Sequence, residues 1–293
     1  MILANKLPGG WNSLIETGRD ANKFHMFDFS FDLTKAYTFW AGLIGGMVLN
    51  TATHGVDQLM VQRYLSAKSQ SQAAWALIVS GVVVFAQFAL FLLIGVGLFV
   101  FYKNFPATGP TLRPDEVFAK FIVTSLPVGV VGLVIAAIFS AAMSTLSSSL
   151  NSSASAAVND LYRPFSGDKD EARLLRISKI LTAVWGIVQM AVAFWAIGLQ
   201  NNVVNNALAI AGFVTGILLG VFLLGIFTRR VGQNAALVGM VAGIATVSYV
   251  KFLTPIEFPW FALIGSSTVF CVGLLASLFA TSKPADDPLM QQV

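Results

Sequence analysis

Long apolar stretches are the feature that most limits what this sequence can fold into. A helix that crosses a bilayer needs about 20 mostly apolar residues. Seven stretches of that kind occur, at 37–58, 73–102, 121–158, 176–198, 204–228, 231–252 and 259–281. The alternation of apolar and polar residues over ~10 positions that marks the strands of a membrane β-barrel is absent. We therefore predict an all-α membrane protein with about seven transmembrane helices.

The composition excludes several other classes of protein. Charged residues make up 11% of the 293-residue chain and hydrophobic residues 56%, whereas soluble globular domains carry about 25% charged residues. A disordered chain, a nucleic-acid-binding module and an ordinary soluble enzyme are thereby excluded. The single cysteine, Cys271, permits no intrachain disulfide and no cysteine-based zinc site. The expected partners include a lipid bilayer and no nucleic acid.

The basic residues predict how the chain crosses the membrane. With residues 1–36 set aside, the loops after the first, third and fifth apolar stretches and the tail hold ten Lys and Arg, against four on the other side. Because cytoplasmic loops carry the excess of Lys and Arg, the C-terminus is predicted to be cytoplasmic, in a plasma (inner) membrane. The chain then divides into an extracellular loop segment (1–36), a transmembrane helical domain (37–281) and a cytoplasmic tail (282–293).

The first apolar stretch ends in a group of polar residues. Three glycines are followed by Asn50, Thr53, His54, Asp57 and Gln58. An acidic residue at bilayer depth costs at least ~2.5–3.5 kcal/mol, so this segment is expected to face the protein interior or water, and its glycines are compatible with an interrupted helix. Unwound backbone at membrane depth marks the binding site in transporters. The alternative is that Asp57 and Gln58 lie at the cytoplasmic interface.

A row of small and hydroxyl-bearing residues runs along the third apolar stretch. Ala141, Ser144, Thr145 and Ser148 stand at i, i+3, i+4 and i+7 and so share one helical face. Neutral oxygens with no Lys or Arg nearby suit a monovalent cation such as Na⁺, and the lack of His, Cys, Asp and Glu argues against zinc, iron and copper. The alternative is that the row only packs against another helix, because small and hydroxyl residues are enriched at such contacts.

Two other patterns receive a structural interpretation. Glycines at helical spacing supply no ligands and are predicted to serve helix packing: Gly212, Gly216, Gly220, Gly239 and Gly243. The two histidines, His25 and His54, have no accompanying nucleophile, phosphate-binding loop or metal cluster. We therefore predict that the chain is not an enzyme.

Three segments carry a resemblance to a known family. Residues 50–69, with Asp57-Gln58 and Gln62-Arg63, resemble the segment of sodium:solute symporters that carries an (Asp/Asn)-Gln-x-x-x-Gln-Arg pattern. The run from Ala141 to Ser148 looks like the family's sodium helix, and residues 221–227 before Arg229-Arg230 match a third landmark. The similarity covers about residues 8–280. It implies part of a leucine-transporter-type inverted-repeat fold, from the second repeat onward.

The resemblance also implies roles for particular residues. In the family, sodium is held by the carbonyl at the position of Ala141 and the hydroxyls at Ser144 and Thr145, and some members hold a second sodium at the positions of Ser147 and Ser148. Asn50 matches a polar sugar-contacting position and Thr53 a gate residue that is aromatic in sugar symporters. The neighbouring His54 and Gln58 complete the candidate substrate residues.

The departures from the family pattern bear on the substrate. Val84 stands where galactose symporters carry a pocket lysine, and an apolar residue near Leu208 replaces a pocket glutamine. These differences argue against galactose and leave a sialic acid, another sugar or polyol, an amino acid or a carboxylate open.

The resemblance predicts sodium-coupled symport of a small organic solute. Family members are about twice as long, and their first repeat supplies the other half of the ion site. We therefore expect this chain to be a fragment of a longer product, or to work with a separate chain that supplies the missing N-terminal half. The alternative function is a non-transporting membrane scaffold or receptor-like bundle whose hydroxyl row only packs.

Overall fold

The computed structural model describes residues 2–106, 113–167, 170–196, 198, 202–228 and 231–279, without the side chains of Gln58, Leu59 and Gln62. The predicted tail, 282–293, lies outside these residues. The elements in order are α1 (Ile2–Asn5), α2 (Gly10–Asp20), a π-helix (Ala41–Gly45), α3 (Gly46–Val56), α4 (Gln58–Leu65), α5 (Gln70–Asn104), α6 (Pro114–Ser125), α7 (Val128–Ala156), a second π-helix (Ala157–Tyr162), α8 (Arg163–Ser166), α9 (Glu171–Ala196), α10 (Val203–Phe227), α11 (Gln233–Leu253), a 3₁₀ turn (Phe258–Trp260) and α12 (Phe261–Phe279).

The predicted all-α membrane architecture is confirmed. Among the described residues, six helical segments are long and apolar enough to cross a membrane: Gln70–Asn104, Val128–Ser166, Glu171–Ala196, Val203–Phe227, Gln233–Leu253 and Phe258–Phe279. The count is six rather than about seven because the first apolar stretch is divided between short helices.

The division of that first stretch falls at Asp57 and not at the glycines. The π-helix runs directly into α3, since Gly45 and Gly46 both have helical dihedrals. Asp57 is extended, with ψ of 115°, and ends α3. Its carbonyl then accepts the N–H groups of Met60 and Val61, at 3.0 and 2.9 Å, and so begins α4. The predicted interruption is present, but its position follows from Asp57 starting a new helix, as aspartate commonly does.

The third predicted stretch, 121–158, also contains a boundary. Leu126 is extended (φ −88°, ψ 153°) and ends α6, and Pro127 precedes α7. Proline disfavours helical dihedrals in the residue before it and offers no N–H to the preceding turn. The segment therefore divides into the end of α6 and a separate α7, which carries the whole hydroxyl row.

The structure divides into two compact units, of which the first comprises Met1–Asp20 and Phe91–Asn202. Its core joins the turn after α1, α2, the end of α5 and α6 through Leu7, Leu14, Leu98, Val100, Phe101 and Phe121. The predicted loop segment 1–36 thus contains two helices, of which α2 packs into this core through Leu14. In the same unit, α7 packs against α9.

The second unit comprises Ala21–Leu90 and Val203–Val293. Its core is formed mainly by α10, α11 and α12, with α3 packed against α10. A Cβ atom on Gly216 would lie 2.6 Å from the Cα of Ala262, and one on Gly239 would lie 2.7 Å from the carbonyl oxygen of Val269. These helices approach more closely than any side chain at those positions allows. Gly220 and Gly243 meet Val269 similarly closely, whereas Gly212 is at ordinary contact distance from Phe258 and Phe261. The packing role predicted for the glycine series is therefore confirmed.

Candidate functional site

The hydroxyl row lies on α7 in the first unit, in a part of the helix whose residues are exposed on all sides. All five candidate sodium ligands are exposed: Ala141, Ser144, Thr145, Ser147 and Ser148. The row is therefore not packed against the described helices, and its oxygens are accessible.

Two hydroxyls of the row donate to the backbone of their own helix. Thr145 Oγ1 donates to the carbonyl of Ala141 and Ser148 Oγ to the carbonyl of Ser144, each at 3.1 Å. A hydroxyl that donates its proton keeps two lone pairs, and a carbonyl that accepts one hydrogen bond keeps a second. The back-bonding therefore fixes the direction of these side chains and leaves uncharged oxygen lone pairs available to a cation.

A glutamine on α9 contacts the end of this row. Gln189 Nε2 donates to Ser149 Oγ at 3.0 Å, and both residues are half-buried. Sequence reasoning did not single out Gln189, although a signal exists: it is the one amide in an otherwise apolar run from Ala183 to Ala196.

The candidate substrate residues on α3 lie in the second unit. Asn50, Thr53 and His54 stand at i, i+3 and i+4 and share one face of the helix. Asn50 Nδ2 donates to the carbonyl of Gly46 at 2.9 Å, and Thr53 Oγ1 to that of Leu49 at 3.0 Å. Gln58 lies beyond the break as the first residue of α4, and its side chain is outside the described part of the chain.

His54 makes a contact of a different kind. Its Nδ1 lies 2.6 Å from the hydroxyl oxygen of Tyr64 on α4, so the two rings are hydrogen-bonded across the break at Asp57. Tyr64 was not predicted, because nothing in a local pattern indicates which residue of α4 meets α3. One ring nitrogen of His54 is therefore already engaged, which leaves Nε2 as the nitrogen that a solute could use.

The loop before α3 is held to later parts of the same unit. The N–H of Glu257 donates to the carbonyl of Leu33 at 2.9 Å, and the hydroxyl of Tyr37 donates to Asn205 Oδ1 at 2.5 Å. These contacts join the loop that precedes the first π-helix to the start of α10 and to the segment before α12, and so anchor the chain that leads into α3.

A groove of about 390 Å³ lies beside α3, between α10 and α12. Its lining is largely apolar: Met47, Val48, Thr51, Leu219, Leu223, Leu263, Ser266, Ser267, Phe270 and Cys271. None of the predicted substrate residues belongs to this lining. An apolar groove is poorly matched to a polar solute, so we do not assign the substrate to it.

The six apolar helices among the described residues define an integral membrane protein, and the hydroxyl row of α7 is its candidate cation-binding site. The family model of the sodium:solute symporter family matches residues 11–243. The chain belongs to this family, as the resemblance of its motifs implied.

Individual relatives give the same assignment. The sodium/sialic acid symporter NanT of Aliivibrio fischeri is 31% identical, over 98% of this chain and 57% of its own length. The human sodium/iodide cotransporter is 30% identical, over 95% of this chain and 44% of its own length. The chain thus spans about half the length of these curated relatives.

A solved structure matches as well. It shows a Na⁺-coupled sialic acid symporter in a substrate-bound, outward-open state, described as revealing a novel Na⁺ site. The TM-score is 0.79 at 30% sequence identity, and the match covers 96% of this chain and 58% of the other. The fold of this chain is therefore similar to that of part of that symporter.

Proposed function

We propose that this chain forms the second half of a sodium-coupled symporter for a small organic solute, and that it is not an enzyme. The observation that carries the proposal is the exposed row of uncharged oxygens on α7 in a member of the sodium:solute symporter family. The remaining ion ligands belong to helices equivalent to the other part of the relatives' length. Na⁺ is the coupling ion and is carried as cargo.

For the ion we assign the carbonyl of Ala141 and the hydroxyls of Ser144 and Thr145 as ligands, with Ser147 and Ser148 for a second Na⁺. The spacing of these residues supports the assignment, since Ala141, Ser144, Thr145 and Ser148 share one face of α7. Neutral ligands bind Na⁺ weakly enough for it to be released, because a carboxylate would hold the cation more strongly. Each Na⁺ that enters at 100 mV contributes about 2.3 kcal/mol to uphill transport.

For the solute we assign the face of α3 that carries Asn50, Thr53 and His54, together with Gln58 at the start of α4. These side chains offer an amide, a hydroxyl and a ring nitrogen, which are hydrogen-bonding groups suited to hydroxyl or carboxylate oxygens. Sialic acid is the first solute to test, because NanT and the solved structure are both sialic acid symporters. A sugar or polyol, an amino acid and a monocarboxylate complete the panel.

For the orientation we assign the C-terminus to the cytoplasm of a plasma (inner) membrane. The support is the excess of Lys and Arg in the loops on that side. Several of these residues lie outside the described part of the chain, namely Lys169, Arg229, Arg230 and Lys283. Two reporters fused after Val293, one active only in the cytoplasm and one active only outside it, test the assignment. We expect only the first to be active, and activity of the second alone overturns the assignment.

The transport proposal is tested by uptake into proteoliposomes that contain the complete gene product. We expect uptake of at least one solute of the panel with an inward Na⁺ gradient, faster with a negative interior, and none when Na⁺ is replaced by choline. If no member of the panel is taken up and NaCl does not change the thermal stability relative to choline chloride, the transport proposal is wrong and the scaffold alternative stands.

A further inference from the structure

We propose that Gln189 is a positioning residue for the sodium site. Its hydrogen bond to Ser149 sets the rotation of α7 about its own axis, and hence the direction in which the hydroxyls of Thr145 and Ser148 point. This inference rests on the proposed function of the hydroxyl row. It concerns a residue that lies outside the ion-binding row and acts through a neighbour of the row.

Ser149 lies on α7 directly after the hydroxyl row. An α-helix turns by about 100° per residue, so Ser149 lies one turn beyond Thr145 and on nearly the same side. Residues 141–148 are exposed, whereas Ser149 and Leu150 are half-buried. Ser149 is therefore the point at which the open row meets the part of α7 that is covered within its unit.

The hydrogen bond from Gln189 is a tertiary contact. It joins residues 40 positions apart and crosses from α9 to α7. By contrast, the hydroxyls of Thr145 and Ser148 donate within α7, and Thr182 Oγ1 donates within α9 to the carbonyl of Ser178 at 2.8 Å. Apolar packing between two helices permits small rotations, whereas a directional hydrogen bond specifies one register. The Gln189 contact thus supplies an angular constraint that the back-bonded hydroxyls do not.

The buried Oε1 atom of Gln189 allows a positioning role to be distinguished from a purely stabilising role. Within the described part of the chain, its Oε1 is buried and has no hydrogen-bond partner. A buried acceptor without a partner is unfavourable, so an unbranched apolar side chain such as methionine should be tolerated here or should even stabilise the fold. If Gln189 serves positioning, the same replacement weakens sodium binding. A positioning role therefore predicts that Gln189→Met keeps its stability but binds sodium more weakly. A purely stabilising role predicts that the variant is less stable but binds sodium as before.

The test measures the half-saturating Na⁺ concentration of the complete gene product, from the rise in its thermal unfolding temperature in detergent. NaCl replaces choline chloride at constant ionic strength, so no solute has to be known. The variants are Gln189→Met, Ser149→Ala and the double variant. Thr182→Val is the matched control, because Thr182 lies two turns before Gln189 on the same helix and its hydroxyl bonds within α9.

We expect Gln189→Met and Ser149→Ala each to raise the half-saturating Na⁺ concentration about threefold, the scale of one interhelical hydrogen bond in a membrane. The double variant should show the same threefold rise, since both changes remove one bond. The unfolding temperature without Na⁺ should not fall in Gln189→Met, and Thr182→Val should bind Na⁺ like the unmodified protein. If the Gln189→Met variant cannot be produced as a folded protein, the Ser149→Ala variant is sufficient for the test.

Two results would overturn the inference while the proposed function stands: Gln189→Met and Ser149→Ala bind Na⁺ as Thr182→Val does, or their effects multiply to about ninefold in the double variant. A different result concerns the proposed function itself. If the unmodified protein shows no response to Na⁺, the sodium site is absent and both proposals fail.

Discussion

His54 and Tyr64 are hydrogen-bonded across a break in the backbone, with 2.6 Å between Nδ1 and the phenol oxygen. His54 belongs to α3 and Tyr64 to α4, and Asp57 between them is extended. Two short helices joined by one extended residue have a variable angle unless a second contact fixes it. The His54–Tyr64 pair is such a contact, and it ties the candidate solute face of α3 to the helix that carries Arg63.

Removing the hydroxyl of Tyr64 should loosen α4. We expect Tyr64→Phe to lower the free energy of local opening by about 1 kcal/mol, the net contribution of a typical hydrogen bond. Amide hydrogen exchange in residues 58–65 should then be about fivefold faster. Tyr249→Phe is the control, because Tyr249 is 59% exposed on α11. Equal exchange rates in the two variants would show that the pair does not hold α4.

Removing the hydroxyl of Thr145 should weaken sodium binding. We expect Thr145→Ala to raise the Na⁺ concentration for half-maximal uptake about tenfold, or about 1.4 kcal/mol. Thr145→Ser keeps the hydroxyl and should stay close to the unmodified protein. Sodium-dependent uptake into proteoliposomes measures both variants. An unchanged sodium dependence in Thr145→Ala contradicts the ligand role assigned to this residue.

A methyl group on Gly216 should separate α10 from α12. Because the new Cβ would meet the backbone of Ala262 at 2.6 Å, we expect Gly216→Ala to destabilise the protein by about 1–3 kcal/mol. Gly225→Ala, on the same helix, is the control, since no described atom lies within 4 Å of its added Cβ. Alanine is the better helix former, so this control should be neutral or slightly stabilised. Thermal unfolding in detergent distinguishes the two, and equal unfolding temperatures would contradict the close approach.

The carboxylate of Asp28 should titrate at unusually low pH. Hydrogen bonds from the hydroxyl and the N–H of Ser30, and from the ammonium group of Lys35, lower the pKa of Asp28 from 3.8 to about 2. Since the folded pKa is the lower one, ionised Asp28 stabilises the loop fully above pH 3.8, and this contribution is lost as the pH falls through about 2.

Selective carboxyl labelling and an NMR titration check this value. We expect a midpoint near pH 2 for Asp28. Lys35→Met should raise the midpoint, because the ammonium group is 3.2 Å from Asp28 Oδ2, whereas Lys6→Met should leave it unchanged. A midpoint close to 3.8 in the unmodified protein would mean that the loop does not hold this carboxylate.

Local patterns were sufficient to predict an all-α membrane protein and the long apolar helices, but not the two helices within residues 1–36. Ala141, Ser144, Thr145 and Ser148 lie on one face of α7 as their spacing predicts, since a regular helix repeats every 3.6 residues. The same reasoning misplaced the interruption of the first stretch. Glycine permits a break without requiring one, and here the carbonyl of Asp57 begins a new helix instead.

Contacts between side chains on different helices could not be predicted from local sequence patterns. Hydropathy and spacing do not indicate that Gln189 meets Ser149, because one side chain among several on α9 reaches α7 only when the two helices adopt a particular rotation. The pairing of His54 with Tyr64 depends in the same way on the angle that Asp57 introduces.

The sequence by itself determined the apolar helices, the row of oxygens and the family, because each depends on residue type and short-range periodicity. The tertiary structure decided which residue of α7 bonds to α9, how closely α10 approaches α12 and where α3 ends. These features depend on how side chains from separate helices fit together, and that fit is specified only when the whole set of helices has packed.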